Sequence, residues 1–91
     1  MVAAVVLIRA ERDSIPTAAR EVAGIEGVAE VYSVSGDWDL IAVVRVTEWE
    51  QIAEVVTERL ARVPGIQRTN TLVAFRVHSR QDLAKAYDMF E

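Results

Sequence analysis

No cysteine occurs in the chain, which excludes disulfides, thiol catalysis and thiolate metal sites at once. Histidine occurs only once, at His78. A zinc or iron site would need carboxylates gathered around that single imidazole, and no such cluster is spaced along the sequence. No long hydrophobic run is present either. The longest, Val2–Ile8, falls far short of the ~20 residues of a membrane span. The N-terminus lacks the basic head and small-residue cleavage pattern of a signal peptide. Basic blocks are absent too: the net charge is −4 and the two signs are interspersed. Nothing marks a nucleic-acid surface. These absences point to a cytoplasmic protein without cofactor or metal.

What is present is apolar. Hydrophobic residues make up 52% of the 91 positions, and the mean hydropathy is +0.17. One domain of this size exposes much of its chain, so a partner must cover the excess. Self-association is the expectation.

The pattern alternates strands and helices. "VAAVVLIRA" (Val2–Ala10) is rich in β-branched residues and reads as a strand. "DSIPTAAREVAG" reads as a helix, capped by Asp13 or Ser14, with Pro16 in its first turn. Ile15, Ala18, Ala19, Val22 and Ala23 share one of its faces, and Gly24 or Gly27 ends it. "VAEVYSVS" and "LIAVVRV" are two more strands, joined tightly through Gly36-Asp37. Thr47 and Glu50 make a capping-box signature, and the helix they open has the apolar stripe Trp49, Ile52, Ala53, Val56 and Leu60. Pro64-Gly65 stops it. "IQRTNTLVAFRV" is a fourth strand. Ser79 can cap a last helix with Leu83, Ala86, Tyr87 and Phe90 on one face.

A faint internal repeat runs through this order. A shift of 38 lays Ala4-Val5-Val6 on Ala42-Val43-Val44, and Gly27 on Gly65. Two such halves make an α+β ferredoxin-like β-α-β-β-α-β sandwich, here with an extra C-terminal helix. Right-handed crossovers put both helices on one face of the sheet. Yet Val2–Ile8 and Leu40–Val44 do not alternate apolar with polar, so these strands are apolar on both faces. The face without helices is expected to pack on a copy of itself, giving at least a dimer.

Two stretches carry polar residues beyond what these elements need. In "SGDWDL" (Ser35–Leu40), glycine and one aspartate suffice for a hairpin. On that reading Trp38 covers the sandwich edge and Asp39 is solvated. On the other reading the stretch builds a pocket: a carboxylate for an ammonium, an indole face for an aliphatic or cationic group, turn amides for a carboxylate. Those three needs describe a free amino acid. In "RTNTL", Thr69 and Thr71 share one strand face. They serve either as ordinary strand formers or as two hydroxyls aimed at one ligand. His78 has no orienting partner in sequence, and no pair of acids stands apart for acid–base work. No catalytic residue is assigned.

"GVAEVYSVSGDWDLIAVVRV", a helix, and then "VPGIQRTNTLVAFRV" together resemble the effector-binding (RAM) domain of the Lrp/AsnC regulators. That family's pattern is Gly-x-aromatic-Asp between two strands, then Pro-Gly-Val-x-x-Thr-x-Thr. Gly36, Trp38 and Asp39 match the first motif, with Trp where Tyr or Phe is usual. Pro64, Gly65, Thr69 and Thr71 match the second, with Ile66 for Val. The resemblance extends from Val2 to about Val77. It implies dimers formed sheet to sheet, rings of dimers, and amino-acid effectors held between dimers by Gly36, Asp37, Trp38, Asp39, Thr69 and Thr71. Full-length members carry a helix-turn-helix domain, whereas this sequence enters its first strand at Val2. A stand-alone effector-domain protein without direct DNA binding is therefore expected, partnered with itself and with either a full-length Lrp/AsnC relative or some other protein. Two other classes stay open: a small enzyme of the dimeric α+β barrel type, and an assembly module without ligand.

Overall fold

In the computed structural model, which describes residues 1–78 and Arg80, a single antiparallel sheet carries two helical segments on one face. The elements are β1 (Val2–Ala10), α1 (Ile15–Ala23), β2 (Val28–Ser33), β3 (Leu40–Val46), α2 (Trp49–Ala53) and β4 (Ile66–Val73). The sheet order is β2-β3-β1-β4. The two most apolar strands therefore lie in the middle, each flanked by neighbours. The helix expected after Ser79 lies outside the described residues.

Strand alternation divides the sheet into two faces. Ala4, Val6, Ile8 and Ala10 of β1 and Leu40, Ala42, Val44 and Val46 of β3 are all buried beneath the helices. Ala18 and Val22 of α1 and Ile52, Val55 and Leu60 of the second helical segment close over them. The opposite face bears Ala3, Val5 and Leu7 of β1 beside Ile41 and Val43 of β3, all half-buried with no helix above them among the described residues. Glu30 and Arg45 stand on that same face as an ion pair 3.7 Å apart. By hydrogen bonding and by its charge, Glu30 also raises the Tyr32 phenol above its ordinary pKa.

The second helical segment departs from the expected stripe. After α2 it widens into a π turn over Glu54–Arg59, then tightens over Leu60–Arg62. The Leu60 amide reaches back five residues to the Val55 carbonyl. Val55, three residues after the buried Ile52, enters the core, Val56 packs against it half-buried, and Trp49 and Ala53, which precede the wide turn, stand exposed. The cap also moves by one residue. Gln51 Oε1 accepts from the Thr47 and Glu48 amides at 2.9 and 2.8 Å, so the box is built on Glu48 and Gln51 and not on Thr47 and Glu50. Ser14 does precede α1, but its hydroxyl makes no capping bond. β4 stops at Val73, short of the Val77 expected: Val73 pairs with Ala4, and the Ala74 amide makes one last bond to the Ala3 carbonyl.

The repeat is real in three dimensions. Gly27 and Gly65 each follow a helical segment, each lead into an edge strand, and both take positive φ, 100° and 89°. Each carbonyl ties to the end of a neighbouring strand, Gly27 to the Arg45 amide and Gly65 to the Glu11 amide. At Gly65 space is short as well: a Cβ would lie 2.7 Å from the Ser14 hydroxyl oxygen. Gly36 also has positive φ, 106°, but nothing lies within 4 Å of a Cβ there. The two substitutions should therefore separate in urea denaturation. Gly36→Ala is expected to cost about 1–2 kcal/mol for the backbone alone, and Gly65→Ala more, because Ser14 must move.

Candidate functional site

The loop 34–39 is closed by the Val34 amide on the Asp39 carbonyl at 3.0 Å. Gly36 supplies the positive φ that lets the chain reverse. The Asp39 amide then bonds the Ile8 carbonyl at 2.9 Å, docking the loop onto β1. The next amide along β1, that of Ala10, would meet a β3 carbonyl if β3 continued. It does not continue, and the Asp39 carboxylate takes its place, with Oδ2 accepting from Ala10 N at 2.9 Å. Asp39 is thus neither solvated nor wholly free for a ligand. It extends the ladder with a side chain where the backbone has left.

That tie lets Trp38 leave the sheet plane. Its ring lies 5.6 Å from the guanidinium carbon of Arg68 on β4, a cation–π contact reaching from the turn to the edge strand. Asp37 is exposed on the loop. Among the described residues, the amides of Gly36, Asp37 and Trp38 donate no hydrogen bond.

The β1–β4 register places the rest. Thr71 pairs with Val6 and Thr69 with Ile8, so both threonines lie on the helix side of the sheet. β4 is an edge strand, and Thr69 is exposed there. Arg68 pairs with Arg9, on the face without helices. The structure thus brings together Gly36, Trp38 and Asp39 and adds Arg68, while Thr69 and Thr71 point to the reverse side of β4. Sequence reasoning passed over Arg68 and Arg9. The signal was there in alternation, since Arg68 adjoins Thr69 and must face the other way, but seeing it required the register of two strands far apart in sequence. His78 is exposed beyond the end of β4.

A concavity lies elsewhere. A solvent-open cleft of about 310 Å3 is bounded by Glu26, Gln51, Glu54 and Arg59 over Val46 and Val55. It sits at the end of β3 opposite the Gly36 loop. Arg59 Nη1 donates to the Glu26 carbonyl at 3.1 Å across it. Among the described residues, no group of three His, Asp or Glu is placed to hold a metal ion. No described helix is long and apolar enough to cross a membrane.

A sequence model of the Lrp/AsnC ligand binding domain matches residues 3–83. The chain belongs to that family. Among curated relatives, the Lrp/AsnC domain is 40% identical over 75 residues to an HTH-type transcriptional regulator of Pyrococcus furiosus, PF0250; the match covers 79% of this chain and 50% of that protein. The chain therefore spans about half the length of the curated relatives it matches. Among solved structures, TTHA0845 from Thermus thermophilus is similar at a TM-score of 0.83 and 41% identity, over 88% of this chain and all of that one. The Neisseria meningitidis transcriptional regulator NMB0573, solved as an L-Met complex, shares the fold at a TM-score of 0.74 and 16% identity, over 87% of this chain and 54% of that one.

Asp39→Ala is expected to destabilise the Lrp/AsnC domain by about 1–3 kcal/mol, because the Ala10 amide loses its acceptor. Asp39→Asn keeps an oxygen in place and should recover most of that loss. Urea denaturation of both variants checks it.

Proposed function

We propose that the chain is an effector-sensing module that binds an amino acid at the Gly36–Asp39 loop and assembles through the helix-free sheet face. The observation that carries this reading is the loop itself. Three successive amides without acceptors flank a positive φ, an arrangement suited to a carboxylate. An exposed acid, Asp37, stands beside them for the ammonium, and a tryptophan ring supplies an apolar wall. This loop sits in an Lrp/AsnC ligand binding domain, and a regulator of the same fold has been crystallised with an amino acid.

The threonines fit this reading through a second copy. In one chain Thr69 and Thr71 face away from Trp38 and Arg68, so a ligand touching both motifs lies between the loop of one copy and the β4 edge of another. The helix-free face supports assembly too. Ala3, Val5, Leu7, Ile41 and Val43 form a continuous apolar centre that a lone small domain does not leave in water. The module acts in the cytoplasm with no cofactor and no catalytic residue, and it passes the effector signal to a full-length Lrp/AsnC relative that binds the DNA.

Two measurements test it. Thermal unfolding across the amino acids should show one or a few that stabilise, by about 2.7 kcal/mol at a hundredfold excess over Kd. Thr71→Val should then weaken binding by about 1–3 kcal/mol. No shift with any amino acid would refute the effector reading. Sedimentation equilibrium should give a mass at least twice the 10.1 kDa of one chain. Val43→Asp, whose side chain leaves the fold's own core untouched, should return the mass toward that of a monomer with the circular dichroism retained. A wild-type monomer at micromolar concentration would refute the assembly.

A further inference from the structure

Arg9 and Arg68 are Cα partners across β1 and β4, on the helix-free face. Like charges directly opposite each other destabilise a sheet. Among the described residues the one ion pair is Arg45 with Glu30, so neither Arg9 nor Arg68 has a carboxylate at ion-pair distance there. Trp38 makes the arrangement more than an accident of sequence. Its ring lies 5.6 Å from the Arg68 guanidinium carbon and holds that group at the loop. Binding to a ring leaves the in-plane N–H groups of a guanidinium able to donate, and that planar fork matches a carboxylate. The pair stands at the ends of its strands, next to the Gly36 loop and beyond the apolar centre formed by Val5, Leu7, Ile41 and Val43. Sheet-to-sheet packing therefore leaves it at the margin of the contact.

We infer that Arg9 and Arg68, with Trp38 as the positioning residue, form a fork for a second carboxylate, so that the effector is an acidic amino acid. The inference rests on the effector reading above and narrows it. Each ligand group finds a partner of opposite polarity. The loop amides take the α-carboxylate, Asp37 takes the ammonium, and the two guanidiniums take the side-chain carboxylate. A neutral amino acid leaves the arginine pair uncompensated. An amide side chain of the same shape keeps one acceptor oxygen but turns an NH2 donor toward guanidiniums that only donate.

Isothermal titration with glutamate, aspartate, glutamine, asparagine and leucine tests this. The wild-type chain should prefer an acid over its own amide by about tenfold or more, the worth of one charged hydrogen bond. Arg68→Gln and Arg9→Gln should erase that preference while amide binding and circular dichroism persist, and Arg68→Lys should restore part of it. Equal or tighter binding of the amides, or of leucine, overturns the inference and leaves the effector reading standing. So does a preference that survives both glutamine variants. If Arg68→Gln changes only the sedimentation mass, the pair serves assembly and the inference fails. If no amino acid binds, the effector reading falls with it. Succinate then tests the fork alone: binding lost in Arg68→Gln sustains a carboxylate fork, and no binding refutes it.

Discussion

Everything in this fold depends on two central strands that are apolar on both faces while helices cover only one. β1 and β3 bury Ala4, Val6, Ile8, Leu40, Ala42 and Val44 completely on one side. On the other they set Val5, Leu7, Ile41 and Val43 in a patch with no helix above it among the described residues. One set of residues closes the core and the next set, one step along the same strands, asks for a neighbour. A substitution in β1 or β3 falls on the core or on the helix-free face according to whether its number is even or odd.

The Asp39 carboxylate connects this sheet to the site. An antiparallel ladder ends wherever one strand turns away, and a partly buried amide is then left without an acceptor. Here a side chain completes the ladder, so the loop stays fixed although its backbone has departed. Trp38 is held by that anchoring at one end and by Arg68 at the other. The loop is thus tied at both ends to the sheet, to β1 through Asp39 and to β4 through Trp38.

Much of this was legible in the residues. Strand identity followed from the β-branched runs, the helix side from the crossover rule, and the loop from Gly36-Asp37. β1 and β3 begin and end where the pattern places them. What escaped was whatever depends on relations between distant segments. Val55 joined the core beside a half-buried Val56, and the π turn that follows α2 has no local periodicity to mark it. Asp39 gained a structural bond because β3 begins at Leu40, opposite Ile8 and two residues short of a partner for Ala10. The opposite facing of Thr69 and Arg68 was implicit in strand alternation. The meeting of Arg68 with Arg9 needed the register between the two ends of the chain.

That last pairing bears on how the molecule forms. β4 finds its place only against β1, joining Ala4 to Val73 across nearly the whole described length. The α1–β2–β3 portion can gather early from nearby contacts, but the sheet is not complete until its final strand returns to its first. Such long closures slow folding. During synthesis β1 waits with one edge and one face uncovered until residue 73 has left the ribosome, and a second nascent chain offers the same edge. Closure of the sheet thus competes from the outset with strand exchange between copies, and the arginine carried near the end of each of β1 and β4 opposes uncontrolled edge pairing during that interval.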